Sequence, residues 1–195
     1  RYGAGVEDPS QGVRIIGGSF RGRRLATVGK GDAAAHLRPT SDRVRESLFN
    51  IIESNHADAL DGAIVLDVFA GTGALGLEAL SRGAASVVLV EKGRVGQRLI
   101  SENIGKMGAE EATLLRADAT RLGACPDAPF DLVFLDPPYG QGLGPRALGS
   151  ARDWIAPGAV VVWEEEAFQP APDGYAMLDQ RQFGGVHVTM LERVE

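Results

Sequence analysis

Two features of the sequence predict an α/β fold, a single three-layer domain built on a mostly parallel sheet. Short apolar runs rich in valine and leucine recur along the chain, among them AIVLDVF at 63–69, ASVVLVE at 85–91 and FDLVFLD at 130–136. Continuous apolar runs of this length are typical of strands that are buried on both faces. Segments with helical spacing separate them, and this alternation places helices on both sides of one sheet.

The chain divides into three parts by composition. Residues 1–12 show no periodicity, and we interpret them as a disordered lead or a cloning remnant. Residues 13–55 form a basic N-terminal extension. Its glycine turns at 13–28 predict a hairpin of two short strands, and the cap residues Thr-Ser-Asp before apolar residues at helical spacing predict a helix over roughly 41–54. Residues 56–195 form the main domain.

Strands and helices are predicted to alternate along the main domain. The expected elements are a strand at 63–69, a helix at 73–83, a strand at 85–91, a helix to about 108, strands at 112–117 and 130–136, a loop and helix at about 143–155, and strands at 159–165, 175–182 and 186–193. Gly184 and Gly185 lie between the last two strands and predict that these form a hairpin.

Composition excludes several classes of protein. The chain has 195 residues, 44% of them apolar, which is enough for a core without disulfides or a structural metal. Its single cysteine, Cys125, and its three scattered histidines, His36, His56 and His187, give no metal-ligand set, so we expect no metal. No apolar run approaches the roughly 20 residues of a membrane span. We therefore expect no membrane contact, a cytoplasmic location and, without a coiled-coil pattern, a monomer.

Basic side chains are concentrated near the N-terminus of an acidic chain. Residues 13–45 carry eight of them against two acidic ones, a net of +6 in a chain whose total charge is −6. A basic segment on an acidic body suggests a polyanionic partner that contacts one end. The first candidates for such contacts are Arg14, Arg21, Arg23 and Arg24.

A glycine-rich string after the first strand carries the first chemical signal. The string Asp67-Val-Phe69-Ala-Gly71-Thr-Gly73 lies where a strand turns into a helix. Glycines at such a turn let the backbone approach a ligand closely, and the helix N-terminus favours negative groups. The string by itself is common, so its meaning depends on the residues that follow the neighbouring strands.

Two more acids follow the next two strands. Glu91 ends the second strand, where a carboxylate is placed to hold the hydroxyls of a ribose. Asp118, followed by Ala119, comes after the third strand, in position to reach an adenine edge. Ligands in such sheets bind beyond the carboxyl ends of the strands, so these acids and Asp67 are expected to meet in one crevice.

The charge of this crevice discriminates between two nucleoside cofactors. A dinucleotide would bring a doubly charged pyrophosphate to the glycine turn, where Asp67 would repel it. S-adenosylmethionine instead presents an ammonium and a sulfonium, which the carboxylates of Asp67, Glu91 and Asp118 attract. We therefore predict S-adenosylmethionine as the cofactor, with a nicotinamide-dependent oxidoreductase as the alternative on the same glycine string.

The string Asp136-Pro137-Pro138-Tyr139 at the end of the fourth predicted strand is the second chemical signal. Two prolines stiffen the turn and aim a carboxylate and a backbone carbonyl into the crevice. A planar exocyclic amine needs acceptors for its two N–H bonds, and an aromatic ring can stack on its base. Asp136 and the Pro137 carbonyl supply the acceptors in this interpretation, and Tyr139 supplies the platform.

Together these motifs resemble the Rossmann-like, S-adenosylmethionine-dependent amino-group methyltransferases. RIIGGSFRGRRL and LRPTSDRVRESLFNII in the extension narrow the resemblance to the bacterial RsmD-type family, which methylates a guanine N2 in the 16S ribosomal RNA of the small subunit. The resemblance covers roughly 13–195. It implies a seven-stranded sheet with its last strand antiparallel, and a substrate of 16S rRNA within a largely assembled subunit. The alanine-rich stretch at 29–36 departs from the family pattern by its length.

The resemblance implies roles for individual residues. The family implies a target-base role for Asp136, Pro137 and Tyr139. Thr40, with Arg38 and Arg43, is a candidate for a lid over the cofactor or a clamp on RNA phosphate, with helix capping and surface charge as the alternative. The predicted cofactor contacts are Asp67, Gly71, Gly73, Glu91 and Asp118, with the neighbouring Phe69 and Ala119 and with Thr40 of the extension.

Two alternatives of function stay open at this point. DPPY also serves an adenine N6 amine, which would make the chain an adenine-N6 methyltransferase on RNA or DNA. A non-catalytic RNA-binding factor in ribosome assembly could retain the same crevice. Elsewhere, Glu164–Glu166 is expected to be a solvated strand end, and Trp154 and Trp163 are expected to lie in the core.

Overall fold

The computed structural model describes residues 12–28, 37, 40–126 and 129–195. The predicted lead up to residue 11, most of the loop at 29–37, and Arg38 lie outside the described residues. The elements are α1 (Asp42–Asn55), α2 (Ala57–Leu60), β1 (Ile64–Val68), α3 (Ala74–Ser81), β2 (Ser86–Glu91), α4 (Arg94–Met107), β3 (Ala112–Arg116), β4 (Phe130–Leu135), α5 (Leu143–Ser150), a 3-10 turn (Arg152–Trp154), β5 (Ile155–Glu165), β6 (Tyr175–Phe183) and β7 (Val186–Arg193).

The strands form one seven-stranded sheet in the order β3-β2-β1-β4-β5-β7-β6. Strands β1 to β5 pair in parallel, whereas β7 runs antiparallel to both of its neighbours, β5 and β6. The predicted α/β fold with an antiparallel last strand is confirmed. The register places Val68, Val90, Leu135 and Trp163 side by side, so the residues that follow them lie along one edge of the sheet.

The extension packs on the same core as the rest of the chain. Buried side chains of the extension, including Ile15, Leu48 and Phe49, share one apolar cluster with Val65 of β1 and Phe134 of β4. The Phe49 and Phe134 rings lie 5.5 Å apart at their centroids. Helix α1 begins where the sequence predicts, because Ser41 Oγ accepts the N–H of Val44 as an N-cap.

The predicted basic hairpin is present, but its strands are reduced to a single antiparallel bridge between Arg14 and Arg24. Three backbone hydrogen bonds join the two arms of the hairpin, and the segment after its first arm binds α3. Glu78 accepts the N–H groups of Ile16 and Gly17 at 2.9 and 3.0 Å. A Cβ at Gly18 would lie 1.8 Å from the carbonyl oxygen of Ser81, so only glycine permits this approach.

The predicted bounds of α5 and β5 differ from those in the structure by several residues. Helix α5 ends at Ser150, a 3-10 turn follows, and β5 begins at Ile155 rather than at 159. The turn is fixed by Trp154, whose ring stacks on Phe130 and whose Nε1 donates to the carbonyl of Gly123 at 3.0 Å. Trp154 and Trp163 are buried, as predicted. Within the described residues, no helix is long and apolar enough to cross a membrane.

Candidate functional site

A cavity of about 1000 Å³ opens at the carboxyl edge of the sheet. The loops after β1, β2, β3 and β4 form its walls, and Leu37 and Thr40 of the extension close one side. The loops meet here because parallel strands end at a common edge. The cavity brings together most of the predicted site residues, namely Thr40, Asp67, Phe69, Gly71, Glu91, Asp118, Ala119, Asp136 and Tyr139.

The turn between β1 and α3 has an unusual backbone. Phe69 has φ 58°, a left-handed conformation that costs a non-glycine residue about 1 kcal/mol or more. Gly71 and Gly73 also have positive φ. A Cβ at Gly71 would meet only Leu37 at 3.9 Å, so its backbone faces the open cavity. Gly73 does not line the cavity: a Cβ there would lie 3.2 Å from Leu89, so this glycine serves the packing of α3 on the sheet.

Asp67 is the floor of the cavity and is almost fully buried. Its Oδ2 accepts the N–H of Gly76 at 2.9 Å, which ties β1 to α3. Burial raises the pKa of Asp67 well above its usual value, and the carboxylates of Glu164 and Glu91 raise it further against the Gly76 hydrogen bond. A cation in the cavity would therefore favour the ionised form of Asp67.

Glu91 organises the two loops beside the glycine turn. Its Oε2 accepts the N–H of Gly71 and its Oε1 accepts the N–H of Gly93, both at 2.9 Å. Helix α4 comes close to this carboxylate because residue 96 is glycine. A Cβ at Gly96 would lie 2.8 Å from Glu91 Cγ and 2.9 Å from the Gly71 carbonyl. No pattern in the sequence predicted this role for Gly96.

Asp118 carries its charge in the loop after β3, next to the β2 end that bears Glu91. The backbone N–H and the hydroxyl of Thr120 donate to its Oδ1 at 2.9 and 2.8 Å. These two hydrogen bonds lower the pKa of Asp118, and the nearby cations Lys92 and Arg121 lower it further. Asp118 is therefore ionised throughout the neutral range.

The Asp136–Tyr139 loop forms the remaining wall. Asp136 and Tyr139 both line the cavity together with Pro138. Pro137 is buried beneath the loop and is not among the lining residues. The loop is anchored at Gly140, whose N–H donates to Glu165 Oε1 at 3.4 Å.

The expectation of a solvated acidic strand end at Glu164–Glu166 is wrong for its first two residues. Glu164 and Glu165 are 3% and 8% exposed, and only Glu166 is exposed. Successive residues of β5 point in opposite directions, so the two acids reach different walls. Glu164 Oε2 accepts the hydroxyl of Thr40 at 3.2 Å, whereas Glu165 holds Gly140. Their burial depends on the neighbouring loops, which a run of three glutamates does not reveal.

The predicted phosphate contacts in the extension differ in their surroundings. Arg21, Arg24 and Arg43 are exposed, and Arg14 is also exposed but lies 3.9 Å from a carboxylate oxygen of Asp42. Arg38 lies outside the described residues.

Arg23 lies far from the cavity. Its guanidinium donates to the carbonyl of Met107 at the end of α4 and stacks over Phe20. The start of α4 faces the cavity, and its 14 residues span about 20 Å, so Arg23 lies at the opposite edge of the sheet.

Comparison with known proteins places this chain in a family. The family model described as "Conserved hypothetical protein 95" matches residues 13–192. The chain belongs to the RsmD family. Ribosomal RNA small subunit methyltransferase D of Escherichia coli strain K12 is 39% identical over 162 residues, which are 82% of this chain and 78% of that protein. The protein of the same name from Haemophilus influenzae is 34% identical over 182 residues, 88% of this chain and 89% of its own length.

Solved structures agree with the RsmD assignment. The protein yhhF from Escherichia coli superposes with a TM-score of 0.78 at 36% identity and covers 93% of this chain and 98% of its own. HI0767 from Haemophilus influenzae, described as a methylase, gives a TM-score of 0.74 at 30% identity, with 94% and 99% coverage. The predicted family and its Rossmann-like methyltransferase fold are therefore confirmed.

Several lining residues of this RsmD-family cavity escaped the sequence analysis. Lys92, Gln141 and Arg146 lie on its walls with Leu75 and Leu143. Lys92 directly follows Glu91, and Arg146 lies one helical turn into α5, just after the Asp136–Tyr139 loop. Only their closeness in sequence to these motifs could have predicted that they line the cavity.

Proposed function

We propose that this chain transfers a methyl group from S-adenosylmethionine to the exocyclic N2 amine of a guanine in 16S rRNA. The observation that carries the proposal is the composition of a single cavity. Acids from the ends of β1, β2 and β3 lie on one side of it, and Asp136 and Tyr139 lie on the other. The names of the RsmD relatives, ribosomal RNA small subunit methyltransferase D, support the same class of reaction.

The residues of the cavity fit a cationic nucleoside cofactor. The open backbone at Gly71 leaves room for a ligand beside the glycine turn. Glu91, Asp118, Ala119, Asp67 and Thr40 all line the cavity. In this proposal Glu91 holds the ribose hydroxyls, Asp118 and Ala119 hold the adenine, and Asp67 with Thr40 holds the positively charged amino acid end. S-adenosylmethionine, when bound, supplies a methyl group already activated by the positive sulfonium. The repulsion that a pyrophosphate would meet at Asp67 argues against a dinucleotide.

The chain's own residues orient the target guanine towards the methyl group. Asp136, which lines the cavity, accepts one N–H of the guanine amine, whose lone pair is otherwise delocalised into the ring. The backbone carbonyl of Pro137 is the proposed acceptor for the second N–H, although the residue itself is buried outside the cavity lining. Tyr139 stacks on the base, a contact worth about 1–3 kcal/mol. Methylation would leave the amine with a proton to lose, and Asp136 would accept that proton directly or through water. Holding the reacting atoms in line accounts for most of the expected acceleration.

The same proposal places the chain in the cytoplasm, acting as a monomer on small ribosomal subunits. In this proposal the shape of the folded RNA supplies the specificity for one guanine, while arginine contacts to its backbone supply affinity without sequence preference.

A labelling experiment tests the proposal directly. Small subunits from cells that lack this protein are incubated with methyl-labelled S-adenosylmethionine, and the digested RNA is analysed by mass spectrometry. Labelled N2-methylguanosine is the expected product. Labelled N6-methyladenosine would instead assign the adenine chemistry, and no label on subunits or free RNA would contradict methyl transfer to RNA.

Asp136→Ala separates binding from chemistry in the same assay. Turnover should fall by at least about 100-fold, because the amine loses an acceptor that orients it. Cofactor affinity, measured by calorimetry, should change less than about threefold. Asp153→Ala is the matched control, since this exposed aspartate lies in the 3-10 turn at the opposite edge. An equal loss of affinity and turnover in Asp136→Ala would contradict this division of roles.

A further inference from the structure

Five exposed basic side chains surround the mouth of the acid-lined cavity. They lie on four parts of the chain that meet at the carboxyl edge, with Lys92 and Arg94 both at the junction of β2 and α4. We refer to them as the rim cations: Arg43, Lys92, Arg94, Arg121 and Arg146. Lys92 and Arg146 line the cavity itself. Arg121 follows Asp118 and donates its N–H to the Asp118 carbonyl at 3.0 Å. Arg94 follows the lining residue Gly93, and Arg43 lies three residues after Thr40.

The rim cations are not held in ion pairs by the described part of the chain, although Lys92 and Arg121 lie near enough to Asp118 to lower its pKa. Within the described part of the chain, none of the five forms an ion pair to a carboxylate within 4.0 Å. Other cations of this acidic chain do find such partners, for example Arg82 with Glu53 and Glu78. The charge at the rim therefore remains available to a ligand in solution.

Two rim cations occupy positions that are unfavourable in the isolated protein. Arg94 is the first residue of α4, and Arg43 lies in the first turn of α1. The N-terminus of a helix is its positive end and disfavours cations. A negative group outside the rim would relieve this repulsion, because the helix N–H groups and the arginine would both attract it.

We propose that the rim cations form the main docking surface for the phosphate backbone of RNA, which passes over the mouth of the cavity. This inference rests on the proposed function and deepens it. A positive rim around an acidic floor sorts two ligands by charge: a cationic cofactor enters the cavity, and a polyanion stays at its mouth. Arg23 is excluded from this surface, because it lies at the opposite edge and caps α4.

Charge reversal at the rim tests the surface without unfolding the chain. Arg94→Glu puts an acid at a helix N-terminus, where it favours the helix. Arg121→Glu lies in a loop. The matched control is Arg152→Glu, which reverses an exposed arginine in the 3-10 turn before β5, at the opposite edge. Binding of a 16S rRNA transcript is measured by filter retention over a series of salt concentrations, with no turnover involved.

Each rim variant should bind the transcript about tenfold more weakly near 0.1 M salt. The slope of log affinity against log salt should become shallower by about 0.7–0.9, the value for one lost phosphate contact. Cofactor affinity by calorimetry should stay within about threefold of the unsubstituted protein. Arg152→Glu should match the unsubstituted protein in all three measurements.

Two results would overturn the docking surface. One is equal binding by the rim variants and Arg152→Glu, and the other is binding of the unsubstituted protein that does not depend on salt. Failure of the proposed function is distinct from both, because it would show as a missing methylated nucleoside in the labelling experiment while the binding data stand by themselves.

Discussion

The buried carboxyl of Asp67 lowers the stability of the folded chain at neutral pH. Its pKa is raised in the folded state by burial, so the folded chain binds a proton there more tightly than the unfolded chain does. The penalty is absent below the unfolded pKa and grows as pH rises towards the folded pKa. The position is nevertheless suited to a cationic ligand, which would restore the charge.

Asp67→Asn should therefore separate stability from binding. The amide oxygen can still accept the N–H of Gly76, so Tm at neutral pH should rise, and its fall with increasing pH should weaken. Affinity for S-adenosylmethionine should drop by about 10–100-fold, the cost of losing a charged partner. Thermal unfolding between pH 5 and 8 measures the change in Tm, and calorimetry at pH 7.5 measures the change in cofactor affinity. A lower Tm with unchanged affinity would contradict this role.

Glu165 tests whether a buried acid positions the Asp136–Tyr139 loop. Glu165→Gln keeps an oxygen that can accept the Gly140 N–H, whereas Glu165→Ala does not. We expect kcat to fall about tenfold in the alanine variant and less than about threefold in the glutamine variant, because one hydrogen bond is worth roughly 1 kcal/mol. Cofactor affinity should not change in either. Equal loss of activity in both variants would indicate that charge, not the hydrogen bond, matters.

At the scale of elements, the hairpin of the extension is a structural clamp as well as a basic surface. Arg23 places a cation at the negative end of α4 and covers the ring of Phe20. Arg23→Ala should lower the free energy of unfolding by about 1 kcal/mol, or Tm by about 2–4 °C. Arg21 is exposed like Arg23, but among the described residues its side chain makes no such contact, so Arg21→Ala should leave Tm unchanged within about 1 °C.

RNA binding tests whether Arg23 also contacts the substrate. Arg23→Ala should leave the affinity for a 16S rRNA transcript unchanged at a temperature where the chain is folded, because its guanidinium is already bound to α4. A large loss of RNA affinity in Arg23→Ala without loss of stability would restore the sequence-based role for this arginine.

The strands were predictable because their local pattern and their burial agree. AIVLDVF and FDLVFLD lie in the middle of the sheet, where both faces are covered, and β1 and β4 fall within one or two residues of the predicted bounds. The start of β5 was not predictable from its own residues. Pro157 and Gly158 interrupt the apolar pattern, and the strand extends past them only because Phe130 pairs with Ile155 across a bulge.

The candidate site was predictable only where chemistry coincides with a strand end. Asp67, Glu91, Asp118 and Asp136 each follow an apolar run, and the register of the sheet brings them to one edge. Residues whose role depends on a distant partner had no local signal. Arg45 is the strongest example: in the sequence it is one more cation of the extension, and in the structure it is fully buried.

At the scale of the whole molecule, Arg45 joins the extension, α1 and α3 to the cavity. Its Nε donates to Glu78 of α3 at 3.0 Å. Its Nη2 donates to the Arg14 carbonyl and, at 2.9 Å, to Asp42 at the start of α1. Its Nη1 lies 3.5 Å from the carbonyl of Thr40, the residue that lines the cavity. One guanidinium therefore bonds to four residues, two of which, Arg14 and Glu78, are distant from it in sequence.

Arg45→Ala should consequently act far beyond its own position. Loss of one member of a buried ion pair costs about 3–5 kcal/mol, whereas the exposed pair Lys106–Glu102 contributes about 0.5 kcal/mol or less, so Lys106→Ala is the matched control. Denaturant unfolding measures this difference. Because the Arg14 and Thr40 carbonyls lose their donor, hydrogen exchange should accelerate at 13–28 and cofactor affinity should fall with stability. Destabilisation with unchanged exchange in the hairpin and unchanged affinity would show that Arg45 supports the core alone and leaves the cavity wall to Glu164.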